Sequence, residues 1–189
     1  MSKNRTYNFV LVLSGVNEPD GRVEDALYDA GCDDATLAFR AGIAYLEFDR
    51  RADNFEQAIV SAVHNVERSG LHLEVSRIEP GDLVTASEIA RRIHRSREYV
   101  RLLVEGKRGA GGFPPPRSGV SATTLVWSWC DVIRWLFEHS ILQDVSSVHA
   151  AELLRDLNDA LEMRSDPSAT KRRQKYVREL SKESLSTPS

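Results

Sequence analysis

The sequence predicts an α+β protein made of two units and a C-terminal helix, and three observations carry that prediction. Residues 7–80 alternate strand-like and helix-like segments in the order β-α-β-β-α-β. Residues 83–136 read as a helix, a tight turn, a second and basic helix, a ribbon rich in Gly and Pro, and a helix led by aromatic residues. The charge divides along the same boundary. Residues 1–80 hold 8 Lys/Arg against 14 Asp/Glu, residues 81–137 hold 9 against 5, and residues 138–189 hold 8 against 9. A net charge of −3 over the chain therefore hides a sharp asymmetry. An acidic unit beside a basic one points to two modules with different partners.

In the first unit, Tyr7–Ser14 (YNFVLVLS) is β-branched, aromatic and apolar, the composition of a buried strand. Asn17, Pro19 and Gly21 mark a turn. Val23, Ala26, Leu27 and Ala30 then recur at helical spacing, and Gly31 stands where a C-terminal cap belongs. Asp33–Phe39 and Ile43–Asp49 are short strands joined by a hairpin turn at Arg40-Ala41-Gly42. Asn54 caps a helix to Ser69 with Phe55, Ile59, Ala62, Val63 and Val66 inward, and Gly70 stops it. Leu71–Ile78 (LHLEVSRI) alternates as a half-exposed strand does. This order predicts a ferredoxin-like sandwich over residues 1–80, one antiparallel sheet under two helices. Such a fold hosts sensing, dimerisation and catalysis alike and settles no function.

The second unit, residues 81–139, carries the functional signal. Thr85-Ala86-Ser87-Glu88 is a capping box in which Glu88 is expected to reach back to the cap's own amide. Ala86, Ile89, Ala90 and Ile93 face inward on the helix that follows, and His94-Arg95 makes the turn. Ser96 caps the second helix, Arg97–Glu105, whose buried stripe is Val100, Leu103 and Val104. Arg97, Glu98 and Arg101 then share the opposite, N-terminal face, which in a helix-turn-helix enters the major groove. There Arg can bond a guanine edge bidentately and Glu can accept from cytosine, while Tyr99 suits a phosphate or a thymine methyl. In Lys107-Arg108-Gly109-Ala110-Gly111-Gly112 the glycines let backbone approach a phosphate beside two cations. Its spacing is not that of a nucleotide-binding phosphate loop. Phe113–Arg117, with three prolines, is expected to edge a ribbon whose partner is Thr123–Trp129, with Arg117 near the tip and aimed at the minor groove. Trp127, Trp129 and Trp135 are core residues on this reading, one of the first two staying partly exposed. The last helix carries Asp131 in its first turn behind a weak cap, Cys130, and packs Val132, Ile133, Leu136 and Phe137.

The run ASEIARRIHRSREYVRLLVEGKRGAGGFPPP…LVWSWCDVIRWL resembles the winged helix-turn-helix of the MerR and excisionase superfamily over about residues 83–138. The likeness lies in the order and spacing of an IA-R-x-S-R-x-x-V-R core, a GKRG-x-GGFP loop and a Trp-led helix. The resemblance implies recognition of double-stranded DNA by the second helix and the 107–127 wing, usually as a homodimer. Its site residues become Ser96, Arg97, Tyr99 and Arg101 on the helix and Lys107, Arg108 and Arg117 around the wing, with Glu98 added by the helix face described above. His94 stands where the family's turn has glycine, which demands a left-handed backbone at some cost.

Residues 140–189 hold a helix from Val148 to Arg164, capped by Ser146 or Ser147, with Ala150, Leu154, Leu157 and Leu161 in line. That line serves either packing on its own chain or a dimer contact. Thr170–Ser189 is basic first and Ser-rich last, either a helix with Tyr176, Val177 and Leu180 on one side or a mobile tail. Cys32 and Cys130 make no disulfide framework or zinc spacing, and the five histidines form no ligand pattern, so neither metal nor cofactor is expected. Asp33 and Asp34 beside Cys32 read as a solvated acidic loop, and that thiol has no cation nearby in sequence to activate it. No window offers the roughly 20 apolar residues of a membrane span, and a cytoplasmic protein is expected. No catalytic constellation is present, so a non-enzymatic, sequence-specific DNA-binding regulator, acting as a repressor, is the leading expectation. An adaptor or antitoxin-type protein whose N-terminal unit holds a partner protein is the alternative, and a small-molecule ligand for that unit stays open.

Overall fold

The computed structural model describes residues 4–16, 18 and 20–183, the last two by their backbone. The turn expected at Asn17 and Pro19 and the Ser-rich end of the tail fall outside them. The class is mixed α+β, with seven helices among the described residues.

Strands β1 (Arg5–Ser14), β2 (Ala35–Arg40), β3 (Ile43–Ala52) and β4 (Glu74–Glu79) form one antiparallel sheet in the order β2-β3-β1-β4. Because side chains alternate across a strand, Phe9, Leu11 and Leu13 share one face with Ala44, Leu46, Phe48, Val75 and Ile78. Helices α1 (Gly21–Asp29) and α2 (Phe55–Glu67) close over that face with Val23 and Leu27 from one and Ile59, Ala62 and Val66 from the other. Asn54 caps α2 by accepting from the Gln57 amide at 2.8 Å. The β2–β3 hairpin turns at Ala41 and Gly42, with φ of 52° and 75°. Two consecutive left-handed residues match the right-handed twist of the strands they join. The alternation expected from Leu71 becomes strand only at Glu74, because His72 takes a φ of 53° and breaks the extended path.

The second unit comprises β5 (Leu83–Thr85), α3 (Ala86–Arg92), α4 (Arg97–Val104), β6 (Val126–Ser128) and α5 (Trp129–Glu138). β5 and β6 pair antiparallel, Val84 opposite Trp127. Ile89, Ala90, Ile93, Val100, Leu103, Trp127, Val132, Trp135 and Leu136 make its core. Val104 and Phe137, expected inward, sit at the margin and are each 36% exposed.

Helix α6 (Val145–Ser165) starts earlier than expected and is capped by Asp144, which accepts from the Ser146 amide at 3.0 Å, in place of either serine. Its apolar line is divided between the two units. Val148 and Ala151 pack with Cys130 and Ile133 of α5, while Leu154 and Leu161 join the core under the sheet. Between those contacts Asn158 meets the free edge of β4: its Oδ1 accepts from the Ile78 amide at 2.7 Å and its Nδ2 donates to the Ile78 carbonyl at 3.0 Å. Arg134–Glu152 and Arg164–Glu67 pairs, each 2.6 Å, fasten α6 at both ends. Of the expected line, Leu154 and Leu161 are buried and Leu157 half-buried within the chain, while Ala150 is in neither core and Val148 and Ala151 take its place. Helix α7 (Pro167–Glu183) continues beyond it, exposed along residues 171–181.

Asn158→Ala leaves one N–H and one C=O of Ile78 without partners and is expected to cost about 1–3 kcal/mol. Urea denaturation followed by tryptophan fluorescence and by far-ultraviolet circular dichroism should show both signals moving to lower denaturant together.

Candidate nucleic-acid interface

Thr85 caps α3 through the Glu88 amide at 3.3 Å. The Glu88 carboxylate does not return to the cap's amide; it accepts from Arg91 at 2.6 Å and from Arg92 at 3.1 Å. Those hydrogen bonds, Arg91 foremost, hold its carboxyl well down, at about 2. His94 supplies the left-handed residue of the turn, with a φ of 53°. The Arg95 amide then donates to the Ala90 carbonyl at 2.9 Å, closing the end of α3. Ser96 caps α4 by accepting from the Tyr99 amide at 3.1 Å. With Val100 and Leu103 buried, Arg97, Glu98 and Arg101 are left on the exposed face, as the spacing of the sequence requires.

The ribbon is smaller than expected. The main pairing partner of the Val126 strand is Leu83–Thr85, and the stretch after the prolines contributes a single bridge, Ser118 to Val126. Phe113 is held edge-on against Trp127 and Trp135, and the Trp127 indole donates to the Pro114 carbonyl at 3.1 Å. At Gly119 a Cβ would lie 2.0 Å from the Thr124 carbonyl oxygen, so only glycine closes the loop there. Arg117 is therefore at the root of the ribbon and not near its tip. Its amide donates to the Val126 carbonyl at 2.7 Å and its guanidinium to Asp131 at 3.1 Å. The projecting residues 119–124 carry no charge.

Helix α5 is capped by Ser128, which accepts from the Asp131 amide at 3.2 Å; Cys130 is a buried first-turn residue and not the cap. Trp127 is buried, and Trp129 opens the helix with the Arg92 guanidinium 4.9 Å from its ring centre.

The allocation of positive charge separates the site residues. Arg101 is held between Glu98, at 2.8 Å, and Glu105, and Lys107 pairs with Glu105 at 2.7 Å. Arg91, Arg92, Arg117 and Arg134 also have carboxylate partners. Among the described residues of this unit, only Arg95, Arg97 and Arg108 lack one. Arg108 lies 4.5 Å and Arg95 5.9 Å from the centre of the Tyr99 ring. Arg108 gets there because its amide and that of Lys107 both donate to the Leu102 carbonyl, folding the glycine-rich segment back over α4. The Arg95–Tyr99–Arg108 stack is an exposed cationic cluster beside the first turn of α4, and Arg97 stands exposed on the helix face it shares with Glu98 and Arg101. Arg95 was not singled out from sequence; its i, i+4 spacing to Tyr99 across the cap was the available signal.

Elsewhere, Asp34 is committed to the buried Arg50 at 2.7 Å. Burial pushes the Cys32 thiol up to about 11, which disfavours the reactive thiolate. No helix among the described residues is long and apolar enough to cross a membrane. No protein-family model matches the chain, and no curated protein or solved structure is significantly similar to it.

The lowered carboxyl of Glu88 gives stability that is present above the ordinary value of 4.5 and lost as the pH falls through about 2. Glu88→Gln should therefore melt below the wild type at neutral pH, with the difference vanishing as pH is lowered across that window in thermal scans.

Proposed function

We propose that the chain is a sequence-specific regulator of transcription, a repressor that binds double-stranded DNA as a homodimer through a winged helix-turn-helix of the MerR and excisionase kind. In this reading the first unit is a ferredoxin-like sandwich serving dimerisation or sensing, and the protein is non-enzymatic. The observation that carries the proposal is three exposed arginines without carboxylate partners among the described residues, Arg97 on α4 and Arg95 and Arg108 at Tyr99 of its first turn, on a helix whose Val100 and Leu103 are buried. A cation already paired in the chain must break that pair to meet a phosphate; an unpaired one only exchanges its counterions. Arg97, beside the cap, is positioned for a base edge, and the Arg95–Tyr99–Arg108 stack for the phosphate backbone. The strand order β2-β3-β1-β4 under two helices supports the name given to the first unit.

The test is binding of the purified protein to labelled DNA from upstream of its own gene, with unrelated duplex as competitor, at two salt concentrations. Arg97→Ala should lose roughly 1–3 kcal/mol of specific binding and relax sequence preference. Arg95→Ala and Arg108→Ala should each weaken all duplexes alike and reduce the salt slope by about 1. Arg101→Ala, Lys107→Ala and Arg117→Ala should change less than any of these. Failure of the wild type to retain DNA at low salt overturns the proposal.

A further inference from the structure

Two exposed helices at opposite ends of the chain carry matching chemistry. α1 presents Tyr28, 65% exposed, at the mouth of a cleft of about 300 Å³ between α1 and β2 whose floor includes Leu27 and Leu37. Glu24 and Asp33 line that cleft, and Asp25 and Asp29 flank Tyr28 on the helix; none of the four has a cationic partner among the described residues. α7 is the reverse. Residues 167–183 hold six Lys/Arg against two Glu, and Tyr176 and Val177 stand 56% and 64% exposed among them. Lys171 and Arg178 have no carboxylate partner among the described residues. A 17-residue helix exposed along residues 171–181 is marginal without tertiary cover.

The two surfaces do not meet within one chain. α6 lies along β4, and α7 leaves from its far end, where Arg173 pairs with Glu162 at 2.5 Å. No described residue of α7 lines the α1–β2 cleft, and β2 and β4 are opposite edges of the sheet, three strand spacings or about 14 Å apart. We infer that α7 of one copy seats in the α1–β2 cleft of a second copy, reciprocally, so that the homodimer carries two identical contacts about its two-fold axis. Tyr176 and Val177 meet Tyr28 and the cleft, and the cations of α7 face its carboxylates. The inference rests on the homodimer of the function proposed above and assigns it an interface; the occupant is a second copy because the complementary charge is in the same sequence.

The experiment uses the full-length chain and reads mass by sedimentation velocity, independently of DNA. Glu24→Lys with Asp33→Lys, and separately Lys171→Glu with Arg178→Glu, should each weaken self-association by at least about tenfold. All four positions are on the surface, so circular dichroism of the folded variants should match the wild type. An equimolar mixture of the two variants should recover the dimer, because both crossings then join opposite charges. A monomeric wild type, variants that dimerise as the wild type does, or a mixture that stays monomeric would each overturn the inference. So would an α7 variant that loses duplex binding with its stoichiometry intact, since α7 would then be a DNA contact. Dimerisation by this route without any binding to DNA would leave the interface standing and remove the function proposed above.

Discussion

The amide of Asn158 stands in for a missing strand. β4 is an edge of the sheet, and an edge strand leaves backbone donors and acceptors that a second chain can use. One side chain, acting as donor and acceptor at once, occupies both groups of Ile78 and fixes the register of α6 against the sheet. Leu154 and Leu161 lie one turn to either side and enter the core beneath. Because Val148 and Ala151 of the same helix are already engaged with α5, the two cores share one rigid rod. The basic unit is held against the acidic one by this helix, and the two are not simply joined by the short connection at residues 80–82.

Electrostatics in the second unit follow a rule of elimination. Its net charge is positive, yet Arg91, Arg92 and Arg101 pair with carboxylates three or four residues away on the same helix, and Lys107, Arg117 and Arg134 with Glu105, Asp131 and Glu152. These pairs, exposed for the most part, add little stability each. Their consequence is selective: among the described residues they leave Arg95, Arg97 and Arg108 as the cations of this unit without a carboxylate partner. The aromatic ring of Tyr99 orders two of those guanidiniums without removing their charge, which a carboxylate would do.

Most element positions were legible in the sequence because they depend on local chemistry. Asn54, Thr85 and Ser96 act as caps where their spacing to the following apolar stripe says they should, and Arg40-Ala41-Gly42 makes the expected hairpin turn. The corrections come partly from partners distant in sequence and partly from competition between neighbours. Leu83–Thr85 was hidden because a three-residue strand has no period of its own and is defined only by Val126–Ser128 across the domain. Ser128 was missed as a cap because it also ends that strand, and Asp144 because two serines follow it. Arg117 has the composition of a contact residue, yet Asp131, fourteen residues on, engages it, whereas Glu98 and Glu105 hold Arg101 at the legible i−3 and i+4 spacings. Which cation is paired is a fact of three-dimensional proximity, and only the i, i+3 and i, i+4 pairs can be read from a linear string.

The Asn158–Ile78 pairing also sets an order of events during synthesis. The two residues are 80 positions apart, so β4 is made long before the group that covers its edge exists. At roughly 5–20 residues per second, translation leaves that edge bare for about 4–16 s while the second unit is still emerging from the ribosome. During that interval the nascent sheet can pair with a neighbouring chain on the same message. All of β5 to α5 is made in that interval, and only when α6 follows does the chain carry the group that withdraws the edge from intermolecular use.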